Sequence, residues 1–180
     1  KERGIDFVQK NGSPQKDYIV EAKGAGVAVV DLNRDGWDDI YLVNGAMLKG
    51  ATTEALPQNQ LYLNRGDGTF RDATEESGLG DTGFGTGAYF ADVDNDGDLD
   101  CYLTNYGPNQ LYRNDGQGHF TRVENAGGAQ NNGWSTGAAF ADINGDGYLD
   151  LYVAQYAEFS TEIADRMGTY ARYHGEMMFI

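Results

Sequence analysis

Three short windows of the sequence place an oxygen-bearing side chain at alternate positions: Asp31-Leu32-Asn33-Arg34-Asp35-Gly36-Trp37-Asp38-Asp39, Asp92-Val93-Asp94-Asn95-Asp96-Gly97-Asp98-Leu99-Asp100, and Asp142-Ile143-Asn144-Gly145-Asp146-Gly147-Tyr148-Leu149-Asp150. Positions 1, 3 and 5 are short carboxylates or amides, position 6 is glycine, and aspartate returns at position 9. Such a set suits a hard cation. Ca²⁺ takes six to eight oxygen ligands at ~2.3–2.6 Å in a flexible shell, which alternate side chains of a tightly curved loop can supply. Glycine at position 6 allows the sharp turn, so the carbonyl of position 7 is expected to point inward and the aspartate at position 9 to close the shell bidentately. The predicted ligands are Asp31, Asn33, Asp35, Trp37 and Asp39; Asp92, Asp94, Asp96, Asp98 and Asp100; and Asp142, Asn144, Asp146, Tyr148 and Asp150. That makes three Ca²⁺ sites, with Trp37, Asp98 and Tyr148 acting through their carbonyls. Mg²⁺ prefers fewer protein ligands in a rigid octahedron, and zinc or copper would call for His or Cys, which the loops lack.

An EF-hand starts with the same spacing but needs a bidentate Glu at position 12 and flanking helices. Position 12 here is Leu42, Leu103 or Val153, each inside an apolar, β-like run. The loops are therefore expected to connect the first two strands of a repeated unit.

The rest of the composition is consistent with this. The net charge of −15 excludes nucleic acid and anionic membranes as partners on electrostatic grounds. Much of the acid is packed into the three windows, where like charges repel unless a cation neutralises them. Twenty-six glycines against three prolines, with twelve tyrosines and eight phenylalanines, suit short strands joined by tight turns. Cys101 is the only cysteine, so neither a disulfide framework nor a zinc knuckle can form. No run approaches the ~18 apolar residues of a membrane span. The chain opens at Lys1 without methionine, as expected of a mature or trimmed product.

The elements that must position these loops emerge from self-similarity. Residues 81–96, DTGFGTGAYFADVDND, recur at 131–146 as NNGWSTGAAFADINGD, and Asn59-Gln60-Leu61-Tyr62 recurs as Asn109-Gln110-Leu111-Tyr112. An earlier copy spans 24–44, and the extra stretch 45–58 has the composition of a surface insertion. Each unit divides into strand-sized pieces. Val27–Val30, Ala88–Ala91 and Ala138–Ala141 precede the acidic loops, and Ile40–Val43, Cys101–Thr104 and Leu151–Ala154 follow them. Third strands are expected at Gln60–Leu63 and Gln110–Arg113, then a glycine-rich turn and a fourth strand from Phe70 and Phe120. Four antiparallel strands per ~50-residue unit is the signature of a propeller blade. A β-solenoid rung is shorter, and a sandwich would not repeat its turns in register. The expected fold is all-β, a partial β-propeller of about two and a half blades over residues 1–180: 20–75 blade 1, 81–124 blade 2, 131–157 the start of blade 3, and 158–180 a tail or insertion. Closed propellers need at least ~4 blades, so an N-terminal piece of a longer protein is expected.

The glycine-led first strand with its DxNxDGxxD or DxDxDGxxD loop, the NQLYxN strand and the Gly66–Phe70 GDGTF turn resemble the FG-GAP/VCBS repeat propellers, integrin α-subunits among them. Over residues 20–157 the chain looks most like the N-terminal part of the ASPIC/UnbV (cartilage acidic protein-like) group. The resemblance implies a secreted, cell-surface or periplasmic propeller with Ca²⁺ in its hairpin loops. It also implies partners that are proteins or carbohydrates of the surface or matrix. Gly118-His119 departs from the GDGT pattern, the third blade is incomplete, and no UnbV-like C-terminal region is present.

Other features have plainer readings. Arg65-Gly66-Asp67 spells an integrin-recognition tripeptide but occupies the repeat's own turn, where the second unit has Asp115-Gly116-Gln117. His119 and His174 belong to no nucleophile or zinc motif. Cys101 aligns with Ile40 and Leu151, as a core residue would. Trp134 and Phe84 align with each other and are expected to pack between units. The apolar tail Arg166–Ile180 has the composition of an interface. The leading expectation is a non-enzymatic calcium-binding scaffold for adhesion, open at its last blade edge to self-association or to the remainder of a longer chain. A propeller segment of a calcium-dependent polysaccharide-active enzyme and a subunit of a surface assembly or fibre are the alternatives.

Overall fold

In the computed structural model the described residues are 2–46, 48, 56–157 and 159–162. Most of the 45–58 insertion, the tail Arg166–Ile180 and His174 lie outside them. Among the described residues ten strands carry the fold: β1 Val27–Val30, β2 Asp39–Leu42, β3 Gln60–Asn64, β4 Phe70–Asp72, β5 Phe84–Ala91, β6 Asp100–Pro108, β7 Gln110–Asn114, β8 Phe120–Arg122, β9 Asn132–Ala141 and β10 Asp150–Gln155. Helix among the described residues is limited to one turn of α-helix, Thr74–Ser77, two 3₁₀ turns, Ile19–Ala22 and Gly127–Gln130, and helical backbone at 161–162. Among the described residues no helix is long and apolar enough to cross a membrane.

The strands form two antiparallel sheets. In the first, β1 to β4 lie side by side in chain order, with Val30 opposite Asp39, Tyr41 opposite Leu61 and Leu63 opposite Arg71. The second unit repeats this from β5 to β8, with Ala91 opposite Asp100, Tyr102 opposite Leu111 and Arg113 opposite Thr121. The β9–β10 hairpin joins the second sheet through the far end of β6, where Tyr106 faces Trp134 and Gly107 faces Gly133.

Three strands are clearly longer than their apolar runs suggest, β6 running on past Thr104 to Pro108. Ala88–Ala91 and Ala138–Ala141 are only the ends of β5 and β9. Their first halves, rich in Gly, Ser and Thr, carry no period-2 apolar signal, yet their backbones pair with β6 and β10.

Side-chain alternation along each strand decides which unit packs on which. Tyr41, Val43, Leu61 and Leu63 of the first unit form one core with Cys101, Leu103, Tyr112 and Phe120 of the second. From the opposite face of the second unit, Tyr102 forms another core with Leu151 and Val153 of the third. Covered on both faces, β6 is buried from Asp100 to Asn105. Phe84 and Trp134 occupy equivalent places in an aromatic cluster with Tyr18 and Tyr106. Trp134 is 1% exposed, so it packs and offers no platform to a sugar.

The segment before β1 straps the first unit. The Phe70 N–H donates to the Arg3 carbonyl at 2.8 Å, and the Lys10 N–H to Asn44 Oδ1 at 2.8 Å. Buried Glu21 anchors the strap by accepting from the N–H groups of Ser13 (2.7 Å) and Tyr18 (3.0 Å).

Candidate metal centre

Each acidic loop links the first strand of a unit to the second, as a hairpin connection between β1 and β2, β5 and β6, and β9 and β10. The conformational demand is the same in all three. Glycine at position 6 has φ +89° (Gly36), +92° (Gly97) and +88° (Gly147). A second left-handed residue stands at position 4: Arg34 at +60°, Asn95 at +62° and Gly145 at +76°. No neighbouring atom crowds Gly36 or Gly147, so glycine is required there by backbone angle and not by space.

The loops also share one set of hydrogen bonds. Position 1 binds the turn with both carboxylate oxygens. Asp31 accepts from the N–H of Asp35 (3.2 Å) and Gly36 (2.8 Å), Asp92 from Asp96 (3.1 Å) and Gly97 (2.9 Å), and Asp142 from Asp146 (3.1 Å) and Gly147 (2.9 Å). Position 5 accepts from the N–H of position 7 at 2.9 Å in every loop: Trp37 to Asp35, Asp98 to Asp96, Tyr148 to Asp146. Position 9 accepts from the N–H of position 2: Leu32 to Asp39 (3.0 Å), Val93 to Asp100 (3.2 Å), Ile143 to Asp150 (3.0 Å). The carboxylates at positions 1, 5 and 9 are thus locked by backbone amides before any ligand is considered.

Two asparagines that the motif alone does not single out complete the arrangement. The Asn64 N–H donates to Asp39 Oδ1 at 2.9 Å, and the Asn114 N–H to Asp100 Oδ1 at 2.9 Å. Both oxygens of Asp39 and Asp100 therefore accept an amide; each oxygen of Asp39 keeps one lone pair, whereas Asp100 Oδ2 also accepts from Arg113 Nη1 at 2.7 Å. The signal for these asparagines was the repeat itself, since both end the NQLYxN strand. Burial pushes the carboxyl groups of Asp39 and Asp100 above the usual aspartate value, while the amide bonds pull the other way. A bound cation would stabilise the ionised carboxylates against that desolvation.

The second loop has a carboxylate at each of positions 1, 3 and 5. One carboxylate oxygen each from Asp92, Asp94 and Asp96 lies within 4.8 Å of the others. Oxygens ligating one Ca²⁺ at ~2.3–2.6 Å are separated by no more than about twice that radius, so this spacing fits one ion. The donors are all hard oxygens, and Cys101 is fully buried nearby with its thiol pushed up by desolvation. A soft-metal site has no ligands here.

The comparisons agree with this architecture. A family model described as FG-GAP-like repeat matches residues 31–103 and 92–153, together more than half of the chain. The chain belongs to the FG-GAP-like repeat family. Each match to the FG-GAP-like repeat starts on the position-1 aspartate of one loop, Asp31 or Asp92. Each ends at position 12 of the next loop, Leu103 or Val153. Each match therefore spans two successive loops and the strands between them. No curated protein matches the chain.

The remaining sequence features have ordinary places. Asp67 in the exposed Arg65-Gly66-Asp67 turn accepts from the Thr69 N–H (2.9 Å) and hydroxyl (2.6 Å), which hold its carboxyl below the usual range. Asp115 does the same for its own turn, accepting from the N–H of Gln117 at 2.8 Å, and pairs with His119 at 3.0 Å. In both units the turn aspartate serves the turn.

Proposed function

We propose that the chain is a run of successive β-propeller blades serving as a calcium-stabilised, non-enzymatic interaction scaffold. The observation that carries this reading is the recurrence of one carboxylate–amide bond set in three loops whose donors are all hard oxygens. Stacking of the units supports the propeller, because β1, β5 and β9 line one groove through Ala28, Ala88 and Ala138, as innermost strands around an axis do. Calcium at each hairpin would hold the first two strands together and neutralise the loop. Asp39, Asp100 and Asp150 would be ligands as well as hydrogen-bond acceptors.

Exposed loops of Asp and Asn suit the high calcium of extracellular fluids, where modules bind at about 10⁻⁴–10⁻³ M. We accordingly place the scaffold outside the cytoplasm, with a protein or carbohydrate of the surface or matrix as its partner. The NQLYxN strand and GDGTF turn support kinship with the N-terminal part of the ASPIC/UnbV group. Calorimetric melting with calcium and after its removal, alongside elemental analysis, tests the reading. Calcium at about three equivalents and a marked fall in Tm on its removal are expected. Unchanged melting with no calcium in the protein would sink it.

One observation favours association at the third unit. Tyr41 and Tyr102 are fully buried beneath the following unit, whereas the equivalent Tyr152 is 39% exposed. That face suits the remainder of a longer chain or a second copy. Light scattering at micromolar concentration separates the two.

A further inference from the structure

The three loops are alike in backbone and unlike in charge. At the end of β7, Arg113 places Nη1 2.9 Å from Asp94 Oδ2 and 2.7 Å from Asp100 Oδ2. One nitrogen of one guanidinium thus bridges positions 3 and 9 of the second loop, two of its predicted ligands. Asp100 is fully buried, so the pair with Arg113 is shielded from solvent on the carboxylate side. A second cation reaches the same loop, since Arg34 lies 2.7 Å from Asp98 Oδ1. Among the described residues no basic side chain pairs with the position-1, 3, 5 or 9 residues of the first or third loop.

The repeat shows where the difference originates. Asn59-Gln60-Leu61-Tyr62-Leu63-Asn64 aligns with Asn109-Gln110-Leu111-Tyr112-Arg113-Asn114. The first unit therefore has Leu63, buried in the core, where the second has Arg113. The third unit has no counterpart among the described residues.

We propose that Arg113 is an internal counter-ion of the second loop, which makes this the weak calcium site of the three. The inference rests on the calcium reading above. A guanidinium and a divalent cation compete for the same oxygens of Asp94 and Asp100, and unit charges a few ångströms apart in a partly buried setting repel strongly. For the ion to bind with its full ligand set, Arg113 must swing out and leave a buried carboxylate to the metal alone. The first and third loops ask for no such displacement. Arg113 also offsets one of the five aspartate charges of the second loop without an ion, which ties β7 to that loop independently of calcium.

The test is a titration of the full chain with calcium chloride, followed by ¹H–¹⁵N NMR at the position-6 amides of Gly36, Gly97 and Gly147. In the wild type, Gly97 should reach its midpoint at a calcium concentration about tenfold or more above the other two. Arg113→Leu, which installs the first unit's residue, should bring Gly97 into the range of Gly36 and Gly147. Arg113→Gln should do so in part, and with the wild-type order it decides the matter if the leucine variant does not fold. Three coincident midpoints in the wild type, or a Gly97 midpoint unmoved in a folded variant, would overturn the role of Arg113. Failure of all three amides to respond by about 10 mM calcium would instead overturn the calcium reading, and the inference with it.

Discussion

The side-chain amide of Asn114 donates to the carbonyl of Leu32, 82 positions earlier, at 3.1 Å, and to that of Leu99 at 3.1 Å. A single residue at the end of β7 thus ties its own acidic loop to that of the preceding unit. Its Oδ1 accepts from the N–H groups of Gly116 (3.1 Å) and Gly118 (3.3 Å), so it organises the β7–β8 turn as well. Asn64 makes the same kind of bonds inside the first unit only, to the Asp38 carbonyl and from the Gly66 N–H, both at 3.0 Å.

Asn114→Ala should therefore cost more than Asn64→Ala. The first leaves buried carbonyls without a donor across a unit boundary, for an expected loss of about 2–3 kcal/mol. The second removes bonds nearer solvent and should cost about 1 kcal/mol. Urea unfolding of both variants in saturating calcium measures the difference. Equal losses would mean that the inter-unit bond contributes nothing.

The tyrosine that follows each loop gives a second comparison. Tyr41 donates to the Leu79 carbonyl at 2.8 Å and Tyr102 to that of Ala129 at 2.6 Å, both from fully buried positions. Tyr102 also accepts from the Asn109 amide at 2.9 Å. Removing the Tyr102 hydroxyl takes that donor from the Ala129 carbonyl, whereas the Leu79 carbonyl still accepts from the Asp81 N–H at 2.8 Å, so Tyr41→Phe should lose about 1 kcal/mol and Tyr102→Phe about 1–2 kcal/mol. Tyr152→Phe should stay within about 0.5 kcal/mol, as surface changes usually do. Thermal melting of the three variants checks the order, and a large loss in Tyr152→Phe would show that its face is already covered.

The loops and strands were legible because the sequence repeats them. Any one DxDxDG match carries little weight, but three in register with matching apolar runs fixed both the strand pairs and the loops between them. What stayed hidden lies in long-range placement. Nothing local marks the β6–β9 pairing, because Gly107-Pro108 has the composition of a turn, yet it joins the second and third units. Arg113 was hidden for the same reason. On a strand it is one more charged residue, and only the fold brings it back thirteen positions to Asp100. Its one sequence signal is the substitution of arginine for Leu63 in an otherwise faithful copy.

Cys101 reports on the junction between the first two units. It is fully buried in their shared core, and desolvation, with Asp81 and Asp100 adding to it, pushes its thiol well above the ordinary range. It should resist a water-soluble thiol reagent in the native protein and react at the rate at which that junction opens. Asn114→Ala, which weakens the same junction, should accelerate labelling about tenfold or more. Rapid labelling of the native wild type would contradict the packing.

The buried carboxylates set how calcium dependence should vary with pH. Asp39 and Asp100 have folded-state values raised above 3.8, chiefly by burial, and Asp81 is raised in the same way. A carboxyl that holds its proton more tightly when folded costs stability once ionised. That cost is relieved as pH falls through the raised folded value and is gone below 3.8. Exposed Asp67 and Asp115 have lowered values, so their contribution is present above 3.8 and is lost only as pH falls below it. Between about pH 7 and about pH 4, protein stripped of metal over a chelating resin should therefore gain stability from Asp39, Asp81 and Asp100. Calcium-loaded protein should lose stability over the same interval, because protons compete with the ion for its ligands. The gap in Tm between the two forms, widest near neutrality, should close toward pH 4. A gap that stays constant across that range would mean that Asp39 and Asp100 do not face the metal.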